Sequence, residues 1–445
     1  MKIPVIAVFD IGKTNKKLLL FNEYYQVVFE QSRNLAETED EDGFPCEDLD
    51  SLSLFVFDTM RSIFSNTNFD IRAVNFSSYG ASLVYLDENG QPLTPLYNYL
   101  KPYPDKLLEQ FYLNYGGKDE FAYKTASPVL GSLNSGMQLY RIKYERPELL
   151  DKIKTVLHLP QYLGSLISGK LVTDITSIGC HTNFWDFSKN EYHQWLIDED
   201  LLNKLAPIAA SDERIKTSFE GHSFDSGIGL HDSSAALIPY LISFTEPFVL
   251  ISTGTWCISL NPFNASPLTK EELESDCLCY LQYKGTPVKA SRLFAGHEHE
   301  QEVNRIAEYY GQPKSRFEEM SFDKTLLNLE NRELKEEDFS KQDLAVFSSD
   351  SEAYHHLIWN LIKKQKRATQ MILNGSNVNR IFVDGGFSKN SIYMNLLSLL
   401  FPEMEVFAAS MAQATALGTA LVVHQSLGDC SLPSDLIELK FYSGK

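Results

Sequence analysis

The sequence predicts an α/β protein of two similarly built units with a cleft between them, and three observations carry that prediction. The first is a strand, tight glycine turn, strand pattern at 8-VFDIGKTNKKLLLF-21. The second is its echo at 248-FVLISTGTWCISLNP-262, with Gly254 in the place of Gly12. The third is the alternation of strands and helices that follows each hairpin. The seam falls near Ser243 to Pro247, where the helical pattern 233-SSAALIPYLIS-243 ends and a Pro precedes the new strand. The expected division is therefore 1–244 and 245–445.

Between the hairpins, Ile71 to Ser78 and Leu83 to Leu86 read as strands, with Asp87-Glu88-Asn89-Gly90 as the turn after the second. Ser135 to Glu145 and Pro160 to Ser168 carry helical spacing. In the second half, 353-AYHHLIWNLIKKQKRATQMILN-374 is a long amphipathic helix ended by Gly375, and 380-RIFVDGG-386 is a strand closed by two glycines. The acidic run 37-ETEDEDG-43 is expected to be a solvated loop.

Composition narrows the function. A chain of 445 residues with 43% hydrophobic content can bury two cores, and a net charge of −19 argues against a nucleic-acid partner, which needs a basic footprint. Cys46, Cys180, Cys257, Cys277, Cys279 and Cys430 are scattered without a C-x-x-C pair, as expected for reduced thiols in a core-rich chain. No apolar run reaches membrane-spanning length and MKIPVIAVFD is too short for a signal core, so a soluble cytoplasmic protein is expected, with no membrane partner.

Gly12-Lys13-Thr14 resembles the tail of a P-loop, but Ala7 stands where that motif needs its first glycine, and a strand rather than a helix follows. Asp10 is either a turn-forming acid or a carboxylate holding Mg²⁺ through water; Gly12, Thr14, Lys13 and Lys17 nearby favour the second. In 227-GIGLHDSSAAL-237, Asp232 stands at or just before a helix start. It reads as an N-cap, or as a carboxylate kept ionised by the helix terminus and suited to accept a proton from an attacking hydroxyl. Ser252 to Thr255 could hold terminal phosphates from the other side of the cleft, and the glycines of 383-VDGGFSKN-390 permit close approach of a base or ribose. His297-Glu298-His299-Glu300 lacks the second zincin histidine, because position 301 is Gln301, and Cys277-x-Cys279 has no partner pair. No G-x-S-x-G elbow is present.

Taken together, 9-FDIGKTN-15, 158-HLPQYLGSLISGKLVTDITSIG-179, 229-GLHDSSAA-236, 252-STGTW-256, 294-FAG-296 and 383-VDGGFSKN-390 resemble, in order and spacing, the FGGY carbohydrate kinases. His231 before the acid points to the rhamnulokinase and fuculokinase branch. The resemblance implies two actin-like (ribonuclease-H-like) domains hinged over a cleft, sugar held mainly by 1–244 and MgATP mainly by 245–445. It makes Asp232 the catalytic base and Asp10 the magnesium-associated acid. Lys13, Thr14, Asn15 and Lys17 then face phosphates, Thr253 and Gly254 face the β- and γ-phosphates, and Gly296, Gly386 and Asn390 face the nucleoside. Tyr79, Gly80, Ser82, His231 and Asp232 would bind the sugar.

Two departures bear on the substrate: Gln138 and Arg141 replace the Lys and Trp of the family's S-x-x-K-L-x-W-L helix, and Ser82 replaces an acid in the sugar loop 78-SYGAS-82. The implied activity is ATP-dependent phosphorylation of a hydroxyl of a ketose or related polyol-like sugar, for example a 6-deoxyhexulose such as L-rhamnulose or L-fuculose, or a pentulose, in a chain that could form a homodimer. The competing reading is a non-catalytic actin-like nucleotide switch or scaffold, which needs no second acid at Asp232.

Overall fold

The computed structural model describes residues 2–327, 338–411, 413–428 and 430–444. Two seven-stranded sheets carry the fold. In the first, the central strand Ile3–Ile11 is antiparallel to Lys16–Phe21, which pairs with Val27–Arg33. On its other side it is parallel to Phe69–Ser78, followed by His222–Ser226 and Ile215–Phe219. The second sheet repeats this plan. Phe248–Thr253 is antiparallel to Cys257–Asn261, which pairs with Pro287–Leu293, and is parallel to Arg380–Gly385 and then Glu405–Ser410. Both central strands are apolar nearly throughout because helices cover both faces of each sheet.

On one face of the first sheet lie the helices Leu49–Ser65, capped by the Asp48 carboxylate, and Leu159–Ser168. On the other face Asp232–Ser243 packs against Ala414–Leu421, and both bury apolar residues on Ile6, Val8 and Leu19. Gly418 permits that crossing, since a Cβ there would stand 1.8 Å from the Ala235 carbonyl oxygen. Asn75 donates to the Thr419 carbonyl at 2.9 Å and Ser426 to Asp225 at 2.7 Å. Residues 414–428, which lie in the second segment of the expected division, thus pack on the first sheet before the chain returns to pair Glu438–Tyr442 with Glu405–Ser410. Under the second sheet, Ala295–Tyr310, Asp350–Leu373 and Ser391–Leu400 share a core. A third apolar cluster joins the helices Asp105–Asn114, Lys118–Thr125 and Ser135–Glu145 around Trp195 and Tyr140.

The expected elements appear within a few residues of their sequence bounds, and the acidic run is corrected. Glu37–Glu39 pairs antiparallel with Pro45–Glu47, and Asp40 is buried between them. Its carboxylate accepts the Asp42 and Phe44 backbone N–H groups and pairs with Lys101 at 2.6 Å. Local turn bonding and one cation convert a charged run into ordered structure. All six cysteines are free; Cys277 and Cys279 lie buried in the strand Cys277–Leu281. Among the described residues no helix is long and apolar enough to cross a membrane.

Candidate active site

Two half-sites are built at the ends of the two central strands. In the first, Asp10 lies opposite Ser77 across the parallel pair, and the Ser77 hydroxyl donates to Asp10 Oδ1 at 3.0 Å. Burial and then the Asp232 charge push the Asp10 carboxyl up to about 6, with Ser77 and Lys17 opposing. Asp232 is the first residue of its helix and His231 is the cap, so the plain N-cap reading of Asp232 is set aside. Asp232 Oδ1 accepts the Ser233 N–H at 2.6 Å and the Ser233 hydroxyl at 3.2 Å, and lies 3.3 Å from His231 Nε2. Oδ2 has no partner among the described residues, and 36% of the side chain is open. Burial raises this carboxyl to about 6, so it is ionised at neutral pH.

His231 is buried and held neutral, its value pushed down to about 4. Its Nε2 lies 3.2 Å from Cys180 Sγ, and its ring presses on Gly80, where a Cβ would stand 2.9 Å away. The rest of the 78–82 loop is clamped. Tyr79 turns inward and donates its hydroxyl to Glu47 at 2.6 Å. Ala81 has φ +61° and its carbonyl accepts Gln138 Nε2 at 2.6 Å. Ser82 is buried, and its hydroxyl has no partner among the described residues. The nearby turn is closed by the Gly12 N–H donating to the Asn15 carbonyl at 2.9 Å, and Thr14 and Asn15 are exposed at its tip. Lys13 already pairs with Glu37 at 2.8 Å and Lys17 with Glu30 at 3.5 Å.

The second half-site is a cavity of about 740 Å³ whose walls include Thr253, Gly254, Gly296, Gly386 and Asn390. All five residues expected there from sequence are brought together, and the volume suits a nucleotide-sized ligand. Gly296 packs so tightly on the hairpin that a Cβ would fall 1.8 Å from the Gly254 carbonyl oxygen, whereas a Cβ on Gly386 would meet nothing within 4 Å and enter the cavity. Thr253 Oγ1 donates to the Asp384 carbonyl and accepts the Phe387 N–H, tying the two turns together. Asn390 caps the helix Ser391–Leu400 through the Tyr393 N–H and donates to the Tyr354 hydroxyl at 2.7 Å, which also lies 3.0 Å from His299 Nε2.

Sequence reasoning missed Tyr354 and His299 in this wall, and Lys16, Glu47 and Tyr99 near the first half-site; Tyr99 is close enough to feel the charges of Lys13 and Asp232. One signal was present for Lys16: consecutive residues of a strand face opposite sides, so one of Lys16 and Lys17 had to point inward.

Comparison with known proteins identifies the family. The chain matches the N-terminal domain of the FGGY family of carbohydrate kinases over residues 5–238 and the carbohydrate kinase FGGY C-terminal domain over 245–430. It belongs to the FGGY family of carbohydrate kinases. It is 23% identical over 234 residues to a rhamnulokinase of Oceanobacillus iheyensis, covering 49% of this chain and 47% of the relative. It is 23% identical over 269 residues to an L-fuculokinase of Escherichia coli, covering 58% and 56%. The matched stretch thus spans about half the length of these curated relatives. A solved carbohydrate kinase from Novosphingobium aromaticivorans shares the fold, with a TM-score of 0.79 at 22% identity, covering 98% of this chain and 96% of that one.

Proposed function

We propose that the chain transfers the γ-phosphate of ATP to a hydroxyl of a ketose, a 6-deoxyhexulose such as L-rhamnulose or L-fuculose or a pentulose. The sugar is held mainly by residues 1–244 and the nucleotide mainly by 245–445. The observation that carries this reading is Asp232: an ionised carboxylate with one oxygen fixed by Ser233 and the other open, at the end of the first sheet beside Asp10. Asp232 Oδ2 takes the proton of the sugar hydroxyl as its oxygen bonds to the γ-phosphorus, and the bond from that phosphorus to the β-phosphate oxygen breaks to release ADP. Thr253 and Gly254 form the wall against which the terminal phosphates rest, with the Thr253 hydroxyl proton spent on the Asp384 carbonyl and the Gly254 N–H on the Trp256 carbonyl to keep that turn rigid, while His231 and Gly80 shape the sugar side.

Mg²⁺ fits the donors present. Asp10 offers a half-buried carboxylate at the end of the central strand, oriented by the Ser77 hydroxyl and close enough to Asp232 to feel its charge. Among the described residues no group of three or more His, Cys, Asp or Glu side chains is arranged to hold a metal ion, so the protein's share of the ligation would be one carboxylate, with phosphate oxygens and water supplying the rest. Asp10 would hold it, and when bound it neutralises charge on the transferring phosphoryl group.

A non-catalytic nucleotide switch is disfavoured by the open Asp232 oxygen. The test is ADP release from MgATP across a panel of ketoses and polyols: sugar-dependent turnover supports the proposal, and a flat response across the panel contradicts it.

A further inference from the structure

Beneath the first half-site lies a polar cluster that the reaction scheme leaves without a role. Glu47 is only 5% exposed. It ends the strand Pro45–Glu47, its backbone is fixed by paired bonds with Leu96, and the next residue caps the helix Leu49–Ser65. Its carboxylate therefore stands on a rigid base. Oε1 accepts the Tyr79 hydroxyl at 2.6 Å, and Lys13 Nζ lies 3.6 Å from the same oxygen. Oε2 is 2.9 Å from Lys16 Nζ. Lys16, itself 2% exposed, donates from beneath to the Lys13 carbonyl at 2.9 Å and so pins the phosphate turn.

Resting on the kinase reading above, we infer that Glu47 is a positioning residue that joins the phosphate turn to the sugar loop, so that order imposed on one is felt by the other. A buried ion pair costs desolvation and is weak evidence for stability alone, whereas its fixed geometry can set the relative position of the groups it joins. Here one carboxylate holds the backbone of residues 12–15 through Lys16 and the 78–82 loop through Tyr79. Burial and the Glu47 charge keep the Tyr79 phenol well above its ordinary value, so the hydroxyl remains a donor throughout the working pH range. Tyr79 makes no hydrogen bond or ion pair to Lys13 or Lys16; its polar route to them is Glu47, while its ring also meets Tyr99 edge-on, and the Tyr79 and Glu47 double variant separates the two routes. By linkage the coupling is reciprocal in binding.

The experiment measures binding of Mg·AMP-PNP by calorimetry, without sugar, to wild type, Tyr79→Phe, Glu47→Gln and the double variant, with thermal melts to confirm folding. Steady-state KM values for ATP and for whichever panel ketose wild type turns over are measured on the same proteins and on Lys16→Met. Tyr79→Phe should weaken Mg·AMP-PNP about 5-fold, the low end of typical site-to-site coupling. The same change should have no further effect in the Glu47→Gln background. Lys16→Met should raise the KM for sugar although it faces the phosphate turn. Should Lys16→Met fail to fold, the Tyr79 and Glu47 cycle decides alone. Wild-type affinity in Tyr79→Phe, with normal nucleotide binding by wild type, overturns this inference and leaves the kinase reading intact. A wild-type protein that binds no Mg·AMP-PNP overturns both.

Discussion

The two hairpins share one backbone and carry opposite chemistry. In the first, Asp10 stands on the hairpin strand and pairs in register with Ser77 on the parallel neighbour; in the second, Ser252 holds the hairpin position and Asp384 the parallel one. Asp10 is raised by burial and then by the nearby Asp232 charge, whereas Asp384 accepts the Gly385 N–H at 2.7 Å, a bond within its own turn. Exchanging an acid and a serine between adjacent strands turns one copy of the scaffold into a site with two facing carboxylates. The other becomes a glycine-walled cavity whose strand-end acid, Asp384, is folded back onto its own turn. Duplicate folds can divide labour in this way because function lies in a few side chains at strand ends.

The largest break in that comparison is Asp232→Asn. The amide keeps the size of the side chain and its bond to the Ser233 N–H but cannot take a proton, so kcat should fall about 10³-fold while folding and nucleotide binding persist. Turnover near wild type would remove Asp232 from the chemistry. Asp10→Ala should come next, lowering kcat/KM for MgATP about 10²-fold by loss of one charged donor. A titration of Mg²⁺ at fixed ATP should show a raised requirement, and an unchanged one would leave Asp10 a turn residue.

The paired glycines sharpen the other side. Gly386→Val places its side chain in open cavity, so the protein should fold and the KM for ATP should rise about 10-fold with little change for sugar. Gly385→Ala, at φ +85° with a Cβ 1.9 Å from the Thr253 carbonyl oxygen, should instead lower the melting temperature. Equal KM effects in Gly386→Val would point to misfolding.

The smallest effect is in pH. The Asp232 carboxyl sits near 6 in the folded chain, above the ordinary value near 4, so the folded state binds the extra proton and this group's contribution to stability falls as pH rises from about 4 to about 6. Asn carries no such loss. The melting temperature of Asp232→Asn minus that of wild type should therefore grow across that window and level off above it. Activity of wild type should decline below pH about 6 as the base takes up its proton.

The fold was legible where local pattern and packing agree. Apolar strands around a Gly turn, read twice, located both central strands, and Gly254, Gly296, Gly386 and Asn390 meet in one cavity. Long-range polar pairing was not legible. Nothing near Glu47 in the chain announces Tyr79 as its partner, and the acidic composition of 37–43 concealed the burial of Asp40 by Lys101. Residues 414–428 cross to the first sheet for a reason visible only in three dimensions, the close approach of Gly418 to Ala235. The wall residues Tyr354 and His299 sit on helices at ordinary apolar spacing, and only the cavity distinguishes them from core.

The division of labour between the half-sites is tested most directly by one calorimetric comparison: binding of Mg·AMP-PNP to wild type, Asp232→Asn and Gly386→Val at pH 7. The structure predicts affinity within about 2-fold of wild type for Asp232→Asn and a loss of about 10-fold for Gly386→Val. Full affinity in Gly386→Val together with loss in Asp232→Asn would place the nucleotide in the wrong half and contradict the account.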